Sequence, residues 1–191
     1  MALPDSLKLT VGTPIVLADT TDYSPAANNN LGTRTDQIDL TSLGDAVARE
    51  SAQIDFGENR APLWQLGAAF ELAATPTAGE VINIYLAPSN SGTAAVGNPA
   101  GVTGTAGAPG TDYAGYSSNL ASSLKQLMFL GSFVTTVQAT GTIQVDTNIA
   151  EFVPPSRYGT IVVENQSGAA FHSDMVESSI VMTPVEHQVQ D

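Results

Sequence analysis

The sequence contains no cysteine among its 191 residues. Disulfide bonds, a thiolate nucleophile and a cysteine-ligated metal are therefore excluded. Histidine is also scarce, since His172 and His187 are the only two, and isolated imidazoles do not predict a zinc site. We expect neither a metal centre nor a bound cofactor.

Charged residues are few, at 13% of the chain, and basic residues are the scarcest, with 6 against 19 acidic ones and a net charge of −13. The basic residues are scattered at Lys8, Arg34, Arg49, Arg60, Lys125 and Arg157. An acidic field without a basic patch repels phosphate backbones and anionic lipid head groups. We therefore expect no direct binding to nucleic acid or membranes. The acidity favours solubility, or a protein held at high local density outside a particle.

Long hydrophobic runs are also missing, because no stretch approaches the roughly 18 apolar residues of a membrane-spanning helix. Apolar residues instead recur at every second position, which is typical of a strand with one buried face. The clearest case is 63–72, where Trp64 and Phe70 fall on the same face. We expect this segment to be a half-buried strand.

Further strands are predicted by weaker patterns of the same kind. Short alternations occur at 51–56, 81–86 and 142–146, and near-continuous apolar runs at 127–137 and 160–164 predict more deeply buried strands. In 142–146, Ile143 and Val145 are expected to point inward. A last strand is expected at 176–183, ending at Pro184, which cannot donate a backbone hydrogen bond.

Turn and helix signals complete the pattern. The segment 165–168 (NQSG) favours a hairpin that joins 161–164 to 169–172. Only 41–50 and 118–126 are plausible short helices, and Gly44 weakens the first.

Many short strands separated by long polar loops predict an all-β fold, an antiparallel β-sandwich that is jelly-roll-like, with a barrel as the alternative. We expect one domain over 1–191, with an N-terminal strand and polar arm in 1–45, a sandwich core in 46–185 and a solvated tail at 186–191. The long loop at 88–118 carries glycine at every third position from Gly101 to Gly110. It is expected to be flexible or to follow a surface.

Catalytic signals are weak. His172, Ser173 and Asp174 are adjacent, whereas a catalytic triad draws its members from separate elements and places its serine at a sharp turn. Pairs of acidic residues occur at Asp19/Asp22, Asp36/Asp39 and Asp55/Glu58. Their carboxylates could bind a calcium ion, but their spacing is not that of an EF-hand loop. We predict solvated carboxylates there and no enzymatic activity.

Candidate contact residues come from the loops. Tyr113 and Tyr116 lie in the long loop, where exposed aromatic side chains often anchor interfaces. Arg34, Arg60 and Arg157 are candidates because cations are so scarce on this acidic chain, and Arg157 is expected to pair with a neighbouring carboxylate. Trp64 is expected in the core.

Several segments resemble small structural proteins encoded among the head genes of tailed bacteriophages. These are 49–57 (RESAQIDFG), 60–64 (RAPLW), 70–79 (FELAATPTAG), 116–120 (YSSNL) and 153–159 (VPPSRYG). The resemblance covers roughly 49–184 and implies a capsid decoration, or cement, protein bound in many copies to the outside of the major capsid protein. It implies a virion location and self-association at symmetry axes. A tail or head-fibre component, or a glycan-binding sandwich, remains an alternative.

Overall fold

The computed structural model describes residues 7–25, 31–58 and 61–189. These residues form eleven β-strands and one short α-helix. The strands are β1 (Leu7–Val11), β2 (Ile15–Ala18), β3 (Asp36–Gln37), β4 (Ala48–Glu50), β5 (Ile54–Asp55), β6 (Leu63–Glu71), β7 (Val81–Ser89), β8 (Met128–Val134), β9 (Ile143–Phe152), β10 (Tyr158–Gln166) and β11 (Ser179–Val189), and the helix is α1 (Leu120–Leu124). Two single 3₁₀ turns lie at Pro99–Gly101 and Tyr116–Ser118.

The strands form two sheets that pack face to face. The six-stranded sheet has the order β3-β2-β11-β6-β9, with β1 paired to the later part of β11. The five-stranded sheet has the order β4-β10-β7-β8, with β5 paired to the start of β10. All pairings are antiparallel except that of β2 with β3. The predicted all-β antiparallel sandwich is confirmed, and the jelly-roll connectivity stays a prediction.

The main core lies between the sheets and follows the predicted alternation in β6 and β7. Its strand residues include Trp64, Leu66, Ala68, Phe70, Ile82, Ile84, Leu86, Ile161, Val163, Ile180 and Met182. Phe70 meets Phe133 and Phe171 edge to face, with ring centroids 5.1 and 5.2 Å apart. Burial of these large apolar side chains stabilises the sandwich by roughly 1.5–3 kcal/mol for each one.

The inward assignment in 142–146 is wrong, because Val145 is exposed and Gln144 is buried. The Gln144 side-chain oxygen accepts hydrogen bonds from the Thr136 backbone N–H at 2.8 Å and from the Thr136 hydroxyl at 3.0 Å. These bonds satisfy the buried amide oxygen, so the polar residue takes the inner face. Deep burial of 127–137 is also wrong, since β8 is the edge strand of its sheet and exposes Phe129 and Val134.

The expected hairpin after β10 is also wrong. Asn165 is fully buried, and its amide nitrogen donates to the backbone oxygens of Leu43, Gly44 and Ala169. Phe171 then bridges to Leu72 of the other sheet instead of pairing with β10.

A helix does not form at 41–50. Ser42 and Ala46 have φ angles of 53° and 61°, which a right-handed helix cannot contain, and β4 follows. The helix expected at 118–126 is confirmed in shorter form as α1, whose cap Asn119 accepts a hydrogen bond from the Ser122 N–H at 3.2 Å.

Strand β11 continues past Pro184, contrary to the expected end. Pro184 lies between the segment that pairs with β2 and the segment that pairs with β1. Its carbonyl accepts a hydrogen bond from Gly12 at 2.9 Å. Residues 186–189 of the expected tail therefore belong to a strand.

Candidate binding surfaces

An exposed apolar patch lies where β8 passes into β9. Its members are Val134, Val137 and Val145, which we call the valine patch and which are all exposed. Val134 and Val145 line a groove of about 320 Å³ between the two strands, together with polar side chains that include Gln138 and Asp146. No charged residue occurs in 126–145, so the patch lies on an uncharged part of a chain with net charge −13.

The patch sits on a fixed scaffold. The bonds from Thr136 to Gln144 tie the end of β8 to the start of β9. Farther along, Gly131 lets the strands approach closely, because a Cβ atom there would lie 2.9 Å from Ile149 Cγ2. Val134 and Val145, which lie on these strands, lose little conformational entropy when they bind a partner.

A second concave surface lies on the outer face of the five-stranded sheet. Asn83, Tyr85 and Glu164 form its floor, because they alternate along β7 and β10 with residues of the main core. Helix α1 and Leu127 form one wall, and Phe129 lies opposite Tyr85 in the strand pairing. We call this depression, of about 640 Å³, the sheet groove.

The long loop covers the rest of that face. It builds a second apolar cluster of Ala48, Ala87, Val102, Tyr113, Leu124, Leu127 and Val162. Backbone bonds run from Tyr113 N–H to Ala48 O at 2.8 Å and from Gly107 N–H to Glu50 O at 3.0 Å. The loop thus follows a surface, as expected, and shields the edge strand β4.

A buried arginine clamps this loop. The Arg49 side chain is only 2% exposed, and its Nη2 lies 2.5 Å from Asp112 Oδ1 in the loop. Arg49 Nη1 also donates to the backbone oxygens of Asp39 and Thr41, at 3.0 and 2.8 Å. The sequence indicated only a scattered cation, because nothing local marks Asp112 as its partner 63 residues away.

Glu50 forms the next link to the loop. Its carboxylate accepts hydrogen bonds from the Thr103 hydroxyl and from the Thr103 N–H, the latter at 2.9 Å. Burial raises the pKa of Glu50, and the hydrogen bonds from Thr103 and Gly104 oppose that shift. The loop therefore holds a carboxylate that is harder to ionise than a solvated one.

The prediction that Tyr113 is exposed is wrong. Its side chain is buried in the second apolar cluster, and its hydroxyl donates a hydrogen bond to Ala100 O at 2.6 Å. Apolar neighbours from β4, β10 and α1 enclose its ring, so it is not available as a surface contact. Tyr116 is exposed, as a contact residue must be.

The arginines lie apart. Arg157 forms the expected pair, with its Nη2 2.8 Å from Asp55 Oδ2, and its guanidinium lies 5.0 Å from the centre of the Tyr158 ring. Arg34 is exposed beside a separate depression near Tyr23. Arg60 lies outside the described residues.

The described residues contain no group of three or more His, Asp or Glu side chains placed to hold a metal ion. His172 accepts a hydrogen bond from the Asp174 N–H at 3.1 Å and lies 3.6 Å from Glu71 Oε1. Within the same ranges, no helix has the length and apolar character needed to cross a membrane.

The chain matches no protein-family model, no curated protein and no solved structure. Its surfaces must therefore be interpreted from their own chemistry. Sequence reasoning missed the valine patch and the sheet groove. The uncharged stretch 126–145 was the available signal for the patch, whereas the groove joins residues from β7, β8, β10 and α1 that no sequence pattern links.

Proposed function

We propose that this chain is a virion structural protein, a capsid decoration protein that binds the outside of the major capsid shell and stabilises it. The observation that carries the proposal is the valine patch, a set of exposed valines where β8 passes into β9 on an acidic chain. The sequence resemblance to phage head proteins supplies the identity of the partner.

A protein partner fits this patch better than other classes. Burial of exposed valines removes apolar area from water at about 25 cal/mol per Å². The strong negative charge disfavours nucleic acid and anionic lipid, and it also keeps free copies apart in solution. Attachment through the valine patch places most of that charge away from the contact, with Asp146 as the one acidic residue on the groove lining.

The patch alone is smaller than the roughly 800 Å² that each partner buries in a standard interface. Other contacts are therefore required, and the exposed Tyr116 and Arg34 are candidates for them. Arg157 is a third candidate, although Asp55 already engages part of its guanidinium. Because the protein binds only the assembled shell, each bound copy stabilises the shell by its own binding free energy.

Co-sedimentation with empty, undecorated capsids of the encoding phage tests the proposal. The Val134→Asp variant places a charge in the patch, and we expect binding at least ten-fold weaker, which corresponds to about 1.4 kcal/mol. Val96→Asp is the matched control, because Val96 is 51% exposed and Val134 is 56% exposed. Circular dichroism and thermal melting check that both variants fold.

Each outcome has a defined meaning. Loss of binding by Val134→Asp with retention by Val96→Asp supports the valine patch as the capsid contact. Equal binding by both variants removes the patch from the interface. Failure of the unmodified protein to sediment with capsids, together with its recovery on tails or fibres, contradicts the decoration role.

A further inference from the structure

The floor of the sheet groove is a hydrogen-bonded polar network. Glu164 Oε2 accepts from Tyr85 Oη and from Asn83 Nδ2, both at 2.9 Å. Glu164 Oε1 accepts from Gln166 Nε2 at 2.9 Å, and Asn83 Oδ1 accepts from Ser132 Oγ at 2.6 Å. These bonds hold the side chains in one arrangement before a ligand arrives.

The network still has free hydrogen-bonding capacity. A carboxylate offers about four lone-pair sites and an amide nitrogen offers two protons. Three of the sites on Glu164 and one proton of Asn83 are used by the bonds above. Burial and the neighbouring Glu164 carboxylate raise the pKa of Tyr85, which keeps its hydroxyl protonated and pointed at Glu164. One lone-pair site of Glu164 and one proton of Asn83 therefore remain for a ligand, on side chains that line the groove.

One side of the groove is aromatic. The Phe129 side chain is 55% exposed, and its ring meets Tyr85 edge to face with centroids 5.5 Å apart. Leu124 and Leu127 also line the groove. A ligand for this groove needs an apolar face for Phe129 and hydroxyl or amide groups for the floor.

Charge narrows the choice further. Glu164 and Lys125 are the ionisable side chains of opposite sign on the groove lining, so the lining carries no net charge. The acidity of the whole chain disfavours an anionic ligand. A wholly apolar ligand would leave the polar floor buried without its water, which costs free energy.

We propose that the sheet groove binds a neutral saccharide, with a C–H face of the sugar ring against Phe129 and its hydroxyl groups on Asn83 and Glu164. This site is separate from the valine patch, and its existence does not depend on attachment to a capsid. A decorated shell would present the groove as a carbohydrate-binding surface only where the bound orientation leaves the outer sheet face open.

The test uses the full chain, labelled with ¹⁵N, and five neutral probes: maltohexaose, cellohexaose, xylohexaose, mannohexaose and chitohexaose. Saturation-transfer NMR detects binding, and amide shift changes locate it. We expect at least one probe to bind at millimolar concentrations or below, with the largest shifts in β7, β8 and β10 around the groove.

Variants decide whether the groove is responsible. Phe129→Ala is expected to weaken binding about ten-fold, the factor that 1.4 kcal/mol represents. Glu164→Gln, which keeps the side-chain size, is expected to weaken it less. Val96→Ala is the control, because Val96 is an exposed apolar residue outside the groove. Loss in the two groove variants with retention in the control supports the proposal.

The proposal is overturned if none of the five probes binds, or if Phe129→Ala binds as well as the unmodified protein. It is also overturned if the shifts fall elsewhere, or if the fatty-acid probe laurate occupies the groove while the saccharides do not. A failure of capsid binding leaves these readouts unchanged, so the two proposals fail separately.

Discussion

Replacement of the buried Arg49 by methionine should loosen the long loop and destabilise the whole sandwich. The side chain is 2% exposed and holds Asp112, Asp39 O and Thr41 O together. Methionine fills much of the same space but donates no hydrogen bond. The substitution therefore leaves two backbone oxygens and a carboxylate without their charged donor.

The magnitude follows from the burial of the two partners. Loss of one partner from a buried ion pair costs about 3–5 kcal/mol. Asp112 is 37% exposed and can regain water, so the lower end applies. We expect a loss of about 3 kcal/mol in the free energy of unfolding, and a fall in the melting temperature of roughly 6–12 °C for a chain of this size.

Urea unfolding followed by circular dichroism measures the loss, and hydrogen exchange at 101–113 reports the loop. Arg157→Met is the matched control, because it also removes an arginine–carboxylate pair, but one whose side chains are 43% and 44% exposed. Exposed pairs contribute little to stability. Equal unfolding midpoints for the two variants, or unchanged exchange in the loop, would refute the role of Arg49 as a clamp.

Two further predictions concern packing and pH. Gly131→Ala should destabilise the protein by about 1–3 kcal/mol, because the added Cβ would lie 2.9 Å from Ile149 Cγ2. Gly44→Ala is the control and should be tolerated, since its Cβ would meet no atom closer than 3.7 Å. Similar urea midpoints for the two variants would contradict the prediction, because they would show that Ile149 moves aside at little cost. Burial raises the pKa of Glu50 above its ordinary 4.5. Between the unfolded and folded pKa values the folded state binds more protons than the unfolded state, so stability falls as pH rises through this range. Glutamine does not titrate, so the unfolding free energy of Glu50→Gln should rise relative to that of the unmodified protein between pH 4 and pH 7. A difference between the two proteins that stays constant over this range would contradict the prediction.

Local alternation in the sequence predicted the strands that line the main core. The pattern at 63–72 corresponds to β6, whose apolar face packs in the main core. The small residues Gly67 and Ala69 on the other face are buried as well, which the alternation did not predict. The prediction fails at Gln144, because its hydrogen bonds to Thr136 make burial of an amide favourable, and that partner is set by the β8–β9 connection. Hydrophobicity alone does not contain this information.

The binding surfaces were harder to predict for the same reason. The sequence predicted that Val134 and Phe129 are core residues, because an apolar run does not distinguish a central strand from an edge strand. Tyr113 read as exposed, because its position in a glycine-rich loop gave no sign that Arg49 and the backbone of β4 hold that loop down. Strand order decides the exposure of Val134 and Phe129, loop packing decides that of Tyr113, and both depend on contacts between distant residues.

The most direct test of the decoration role is the number of copies bound per major capsid protein when empty capsids are saturated with this protein. The proposal predicts saturation at a fixed ratio set by icosahedral symmetry, with a rise in the melting temperature of the capsid. Binding that does not saturate, a ratio of only a few copies per particle, or an unchanged melting temperature would contradict it.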